Sequence, residues 1–183
     1  MNLQVRPFET KRELEAMIDY FLETSDADLV RMGIDLDLVP TREEWLSAVV
    51  GDADLPDTEA NRFYVGWHLD GRLVGHSSIS HIVHGETAHC HLHLWEADLR
   101  GAGIGPRFLA RSVDTYFDRF DLKLLASEPH AHNPAPNAAL PKLGFRLVRR
   151  YRTRATSMSG EIEVSRYEIT RDEWAALRKA RSA

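Results

Sequence analysis

Residues 89–95 read HCHLHLW, with His89, His91 and His93 at every second position. Alternate side chains of an extended strand share a face, so the three rings point the same way. Imidazole is the commonest metal ligand and titrates near neutral pH, so the row could bind a metal or handle protons. Two carboxylates accompany it. Glu96 follows the run, and Glu128 closes a later apolar segment, LKLLASE. Between them lies Arg100-Gly101-Ala102-Gly103-Ile104-Gly105. Glycines turn sharply and let backbone approach a ligand, and the first turn of a following helix offers free N–H donors. The helix dipole adds a preference for negative charge, so this loop reads as a phosphate cradle. No Gly-Lys-Ser/Thr follows, which excludes a P-loop. The strands before it alternate as a meander, which argues against a dinucleotide fold.

These groups need elements to hold them. The spacing predicts a strand over Leu3 to Pro7 and a helix over Thr10 to Thr24, with Leu14, Met17, Ile18, Phe21 and Leu22 on one face. A short helix covers Asp28 to Met32, and T-R-E-E at Thr41 signals another start. Gly51 to Asn61 reads as a polar loop. Strands follow over Arg62 to Leu69, Arg72 to Ile82 and Thr87 to Trp95, with Asp70-Gly71 as a hairpin turn. After the glycine loop, Phe108, Leu109, Val113, Tyr116, Phe117 and Phe120 repeat at helical spacing. A strand over Leu122 to Ser127, a helix over Pro136 to Leu143 and strands over Phe145 to Tyr151 and Ile162 to Ile169 follow. T-R-D-E at Thr170 caps a last helix. The predicted class is α+β, a mixed, mostly antiparallel sheet flanked by helices, in the rough order β-α-α-β-β-β-α-β-α-β-β-α.

The 183 residues, 43% hydrophobic and 28% charged, suit one folded domain with a sizeable core. A net charge of −5 gives no mandate for nucleic acid, and no apolar run approaches the roughly 20 residues of a membrane span. The opening MNLQVRPFETKRELE lacks a signal-peptide pattern, and a lone cysteine, Cys90, suits a reducing compartment. The expectation is a cytoplasmic protein. Charge is uneven: Asp26 to Glu59 holds ten acids against two bases, and Lys142 onward holds eleven bases against five acids. The first stretch would favour a cationic ligand, unless its acids are simply solvated.

At the glycine loop the chain resembles the GNAT N-acetyltransferases. Arg100, Gly103 and Gly105 satisfy their Arg/Gln-x-x-Gly-x-Gly/Ala signature. Residues 132–145, HNPAPNAALPKLGF, are similar to their Asn…Lys-x-Gly-Phe segment, with Asn133 eleven residues before Gly144. The run ASEPHAHNPAPN looks most like the ribosomal-protein N-terminal acetyltransferase branch. The resemblance covers roughly Arg62 to Tyr151. It implies one acetyltransferase domain, with acceptor-side elements in 1–61, an acetyl-CoA-binding core in 62–151, and a closing strand and helix in 152–183. Acetyl-CoA would be the cosubstrate, with no metal expected. Gly101, Ala102, Gly103, Ile104 and Gly105 would meet its pyrophosphate. Arg100 and Lys142 belong to the same motifs. The strand end near Leu94 to Glu96, Trp95 included, would pair with the pantetheine arm, and Asn133 would lie beside it. The acceptor would be a small-molecule or protein N-terminal amine, and a homodimer is the default assembly. Two departures stand out. Leu140 occupies the position of a Tyr that would protonate the leaving thiolate, and Pro136 replaces a frequent Ser.

Attack on a thioester needs a neutral amine, hence a base. The candidates are His91, His93, Glu96 and Glu128. Two rival readings remain. Gly85-x5-His91-x-His93-x2-Glu96-x6-Gly103 nearly matches the first cupin metal motif, with His68 and His76 available to complete a site. The missing Tyr would instead suit a CoA-binding regulator without turnover. Cys90, Leu92 and Leu94 should face the core, and a bulge near the strand end would reverse the facing of Trp95 and Glu96.

Overall fold

The computed structural model describes residues 1–53 and 55–182, so Asp54 in the predicted loop and Ala183 lie outside the described residues. The order is β1 (Leu3–Pro7), α1 (Lys11–Glu23), α2 (Asp26–Met32), α3 (Arg42–Ala53), β2 (Arg62–Leu69), β3 (Arg72–Val83), β4 (Thr87–Leu94), α4 (Ile104–Phe120), β5 (Leu124–Ser127), α5 (Pro134–Leu143), β6 (Arg146–Thr153), β7 (Ile162–Thr170) and α6 (Arg171–Ser182). Single 3-10 turns at Leu36–Leu38 and Ala97–Leu99 have no strong sequence signal.

Local chemistry sets these boundaries. Thr41 and Thr170 each exchange hydrogen bonds with the glutamate three residues on, so both capping boxes form. Asp70 and Gly71 both take positive φ, 50° and 84°, as a tight hairpin demands. Several boundaries differ from expectation, two of them by enough to matter here. The helix after Thr41 runs on to Ala53, through Gly51. The helix expected from Pro136 starts at Pro134, because proline fits the first helical turn after the N-cap Asn133.

The seven strands form one sheet in the order β1-β2-β3-β4-β5-β7-β6. Only the β4–β5 pair is parallel, with α4 crossing over between them. One face packs on α4, where Trp67, Ile79, Cys90 and Leu125 meet Phe108, Tyr116, Phe117 and Phe120. The other face receives α1–α3 through Leu14, Met17, Ile18, Phe21, Leu29 and Val49. The alternation along HCHLHLW is therefore as expected: Cys90, Leu92 and Leu94 turn to the α4 face. His93 and Trp95 both turn to Tyr20 of α1. No bulge interrupts β4 there; the irregularity lies in β3, between Ser80 and Val83.

Candidate active site

The site starts where two strands part. Strand β4 pairs with β5 only from Thr87 to His89, opposite Leu124 to Ala126. The last link is Ser127 Oγ donating to Cys90 O at 2.8 Å. Beyond it the strands splay. Trp95 N–H is taken by Val74 O of β3, so the alternate residues Leu92 and Leu94 turn their backbone groups to the open edge. The edge therefore begins one step earlier than the expected Leu94–Glu96, and Trp95 is not part of it.

The glycine loop hangs from this edge. Gly101 and Gly103 take positive φ, 82° and 73°, which a side chain would resist. A Cβ built at 101, 103 or 105 meets nothing within 4 Å, so the loop backbone faces open space. Gly103 is the N-cap of α4, and Ile104 anchors the first turn in the core, while Ala102 is exposed. Arg100 turns back: its guanidinium donates to Leu94 O (3.2 and 3.3 Å) and Trp95 O (3.4 Å), tying loop to strand. Across the splay, Asn133 is buried and its Oδ1 has no partner. A buried acceptor left unpaired is costly, which marks a place for a donor from a ligand. Lys142 borders the same opening from the last turn of α5.

The opposite face of β2–β4 is a grid of side chains. Ladder partners run Gly66–His76–His93, Tyr64–Ser78–His91 and Arg62–Ser80–His89. His76 and His93 stack at 4.9 Å, and Trp95 Nε1 donates to His76 Nδ1 at 2.9 Å. Tyr20, Phe21 and Trp45 complete an aromatic wall with these rings. Burial keeps the imidazoles neutral: it pushes His91 down to about 4 and His93 to about 3, and holds His76 well below its ordinary value. Burial also pushes the Tyr64 phenol up to about 12.

The carboxylates are engaged. Glu96 accepts from Arg72 at 2.6 Å on the sheet's rim. Glu128 accepts from Tyr151 Oη at 2.5 Å and Arg166 at 2.6 Å, with His89 Nδ1 3.8 Å away. Burial raises its pKa, but these two bonds and the Arg166 charge outweigh it and hold the group below the usual carboxylate range. Five of the acids of 26–59 are likewise committed. Asp28 pairs with Arg31, Asp52 with Arg62 and Asp57 with Arg119, while Asp35 and Glu44 bond helix-start residues. One cleft of about 1220 Å³ joins the two sides, lined by Gly101, Gly103, Gly105 and Asn133 at one end and Tyr64, His91 and His93 at the other.

The sequence matches the acetyltransferase (GNAT) domain family over residues 2–146. The chain belongs to the GNAT acetyltransferase family. No curated protein matches it. Solved structures share the fold. RimL, a ribosomal L7/L12 alpha-N-protein acetyltransferase in complex with coenzyme A, superposes with a TM-score of 0.74 at 20% identity, covering 94% of this chain and 96% of that one. Spermidine N-acetyltransferase from Vibrio cholerae, with CoA and spermine, gives 0.72 at 13% identity, covering 94% and 98%. An aminoglycoside acetyltransferase in complex with coenzyme A gives 0.71 at 14%, covering 97% and 99%.

This GNAT protein is thus an acyltransferase that uses acetyl-CoA as cosubstrate. Its residues fit that molecule: an open glycine cradle, a strand edge that β5 leaves beyond Cys90 and an orphaned buried Asn133. The cupin-like reading fails on the fold, since the sheet is open and helix-covered. Among the described residues, no three of His, Cys, Asp and Glu are placed to hold a metal ion. No described helix is long and apolar enough to cross a membrane. Leu140 is fully buried, so α5 offers no proton donor there. Sequence reasoning missed Ser78, Ser80, His81 and Tyr20 as cleft residues. Ser78 and Ser80 were within reach, because the alternation of β3 puts them beside His76 on the face opposite Ile79.

Proposed function

We propose that the protein is an N-acetyltransferase that moves the acetyl group of acetyl-CoA to a primary amine by direct attack on the thioester. The C–N bond forms, the C–S bond breaks and the amine sheds one proton. The supporting observation is that the glycine cradle and the histidine grid line one cleft. Gly101 to Gly105 offer backbone donors to the pyrophosphate. Leu92 and Leu94 offer a strand edge, and Asn133 offers an acceptor. The acceptor amine enters between α1–α3 and the sheet, so residues 1–61 serve the acceptor, 62–151 the cosubstrate, and 152–183 close the sheet. Glu96 is bonded to Arg72 on the rim, and Glu128 to Tyr151 and Arg166, so both carboxylates are already engaged by partners within the protein. His93 is stacked under His76. His91 is the ring we assign to take the proton, aided by water.

The cleft's character also narrows the acceptor. Asp28, Asp19, Glu96 and Glu128 already hold intramolecular partners, and the wall is aromatic with neutral imidazoles. A polycation would have to compete for those carboxylates, whereas one ammonium on an apolar or aromatic body matches the wall. Incubation with acetyl-CoA and phenethylamine, spermidine, an aminoglycoside or a tripeptide, read by mass spectrometry, tests this. Phenethylamine should gain 42 mass units, on the order of a single acetyl group. Tight acetyl-CoA binding with no acetylated amine in an extended panel would favour the CoA-binding regulator instead.

A further inference from the structure

We infer that His91, Ser80 and His81 form a hydrogen-bonded proton exit from the cleft to solvent. The inference rests on the acetyltransferase reading and extends it to residues outside the family's signatures. The observation behind it is a chain of three polar groups with both ends open. His91 Nε2 lies 3.0 Å from Ser80 Oγ, and Ser80 Oγ lies 3.1 Å from His81 Nδ1. His91 borders the cleft, its Nδ1 has no protein partner, and it is not among the closed-off buried atoms. His81 is exposed.

The backbone builds the far end. Strand β3 loses register with β4 between Ser80 and Val83, and within that irregularity His81 takes φ +52°. A bulge re-aims the side chains around it. A non-glycine residue is strained there, and such strain concentrates at functional sites. The result is that a residue which would continue the strand instead folds its ring back onto its neighbour's hydroxyl.

Donors and acceptors then fall into one consistent order. His91 Nε2–H donates to Ser80 Oγ, Ser80 O–H donates to His81 Nδ1, and His81 presents Nε2–H to water. This leaves the His91 Nδ1 lone pair facing the cleft. When the amine sheds its proton, through water, to Nδ1, His91 passes its Nε2 proton to Ser80. Ser80 passes its own to His81, which releases one to solvent. One proton enters and one leaves, and ring flips of His91 and His81 with rotation of the Ser80 hydroxyl reset the chain. The relay answers a difficulty in the site: burial makes His91 a poor resting place for a proton, so a proton that arrives must move on. The charged and titratable groups facing the chain are His89, whose ring is 5.4 Å from His81, the neutral His93 and His76, Glu128 and Arg62. Glu128 and Arg62 are neutralised by Arg166 and Asp52.

His81→Gly is the decisive variant, because glycine accepts the positive φ and the fold should not suffer. With acetyl-CoA and phenethylamine, kcat should fall about tenfold or more, with KM for acetyl-CoA unchanged. The loss should shrink as pH rises and the amine deprotonates unaided, and added imidazole should restore part of it. Ser80→Ala should behave alike, and Ser80→Thr should recover activity. Unchanged kcat in both His81→Gly and Ser80→Ala, or an equal loss at every pH without imidazole rescue, overturns the relay. Imidazole-nitrogen NMR of histidine-labelled protein decides the chain independently of turnover. His91 in the Nε2–H tautomer, lost in Ser80→Ala, supports it. The Nδ1–H tautomer overturns it even in an active enzyme. If no amine is acetylated while the Nε2–H tautomer stands, the transfer reading fails and the chain survives.

Discussion

The two ends of the cleft are built by different means. At the glycine-loop end the surface offered to the cleft is largely backbone: positive-φ glycines, an α4 N-terminus and a strand edge released by β5 and capped at Leu94 O by Arg100. Side chains there are small or turned away, as Arg100 is. At the acceptor end the strands are laddered as far as Ser80, and the contact surface is made of side chains: stacked imidazoles, serines and an aromatic wall. A shared donor can be held by a geometry that depends little on residue identity. An acceptor must be chosen by chemistry that does.

The sharpest way to break this contrast is at the loop. Gly103→Val puts a branched side chain at φ +73° and into the space the loop leaves open. Its strain and bulk should weaken acetyl-CoA binding by about 100-fold in calorimetry. A loss under threefold would remove the cradle from the account.

A second effect belongs to the other end. His91 and His93 fold with pKa values of about 4 and about 3, below the unfolded value near 6.5. The unfolded chain therefore binds protons first, and stability is fully present above about pH 6.5 and drains as pH falls toward 4, by about 1 kcal/mol per unit for each ring. Urea unfolding at pH 7.5 and pH 5 measures the slope, and His93→Phe should flatten it by about one ring's share. An unchanged slope would mean that the ring is not desolvated.

Gly75 joins the two ends, since a Cβ there would sit 2.5 Å from His93 O. Gly75→Ala should cost about 1–3 kcal/mol and disturb the strand edge and the histidines together. Thermal melts read the first and acetyl-CoA affinity the second; an unchanged melting temperature would show that β4 yields. The smallest effect is expected at Arg72→Met, because the Arg72–Glu96 pair is exposed on the arginine side and worth about 0.5 kcal/mol. Activity should hold. A shifted pH profile would move the proton acceptor from His91 to Glu96.

What could be read from the residues follows the same division. The glycine loop, the capping boxes at Thr41 and Thr170, the Asp70-Gly71 hairpin and the facing of the histidines are local patterns, and each formed. The rest depends on partners distant in the chain. Nothing near Glu128 announces Arg166, 38 positions on, or that this pair would spend its charge. Asp57 gives no hint of Arg119, and three acids of the stretch that could have met a cationic ligand are spent in ion pairs. The bulge that turns His81 onto Ser80 arises where β3 and β4 lose register near their turn, a property of two strands rather than of one. Arg100 kept its motif position, but its reach back to Leu94 O depended on where the strand ended.

Hydrogen exchange of the whole chain with and without acetyl-CoA tests the division most directly. Slowed exchange at Leu92, Leu94 and the amides from Gly101 to Gly105, with α1–α3 little changed, is the predicted result. Protection concentrated in α1–α3, with the glycine loop exchanging as before, would contradict it.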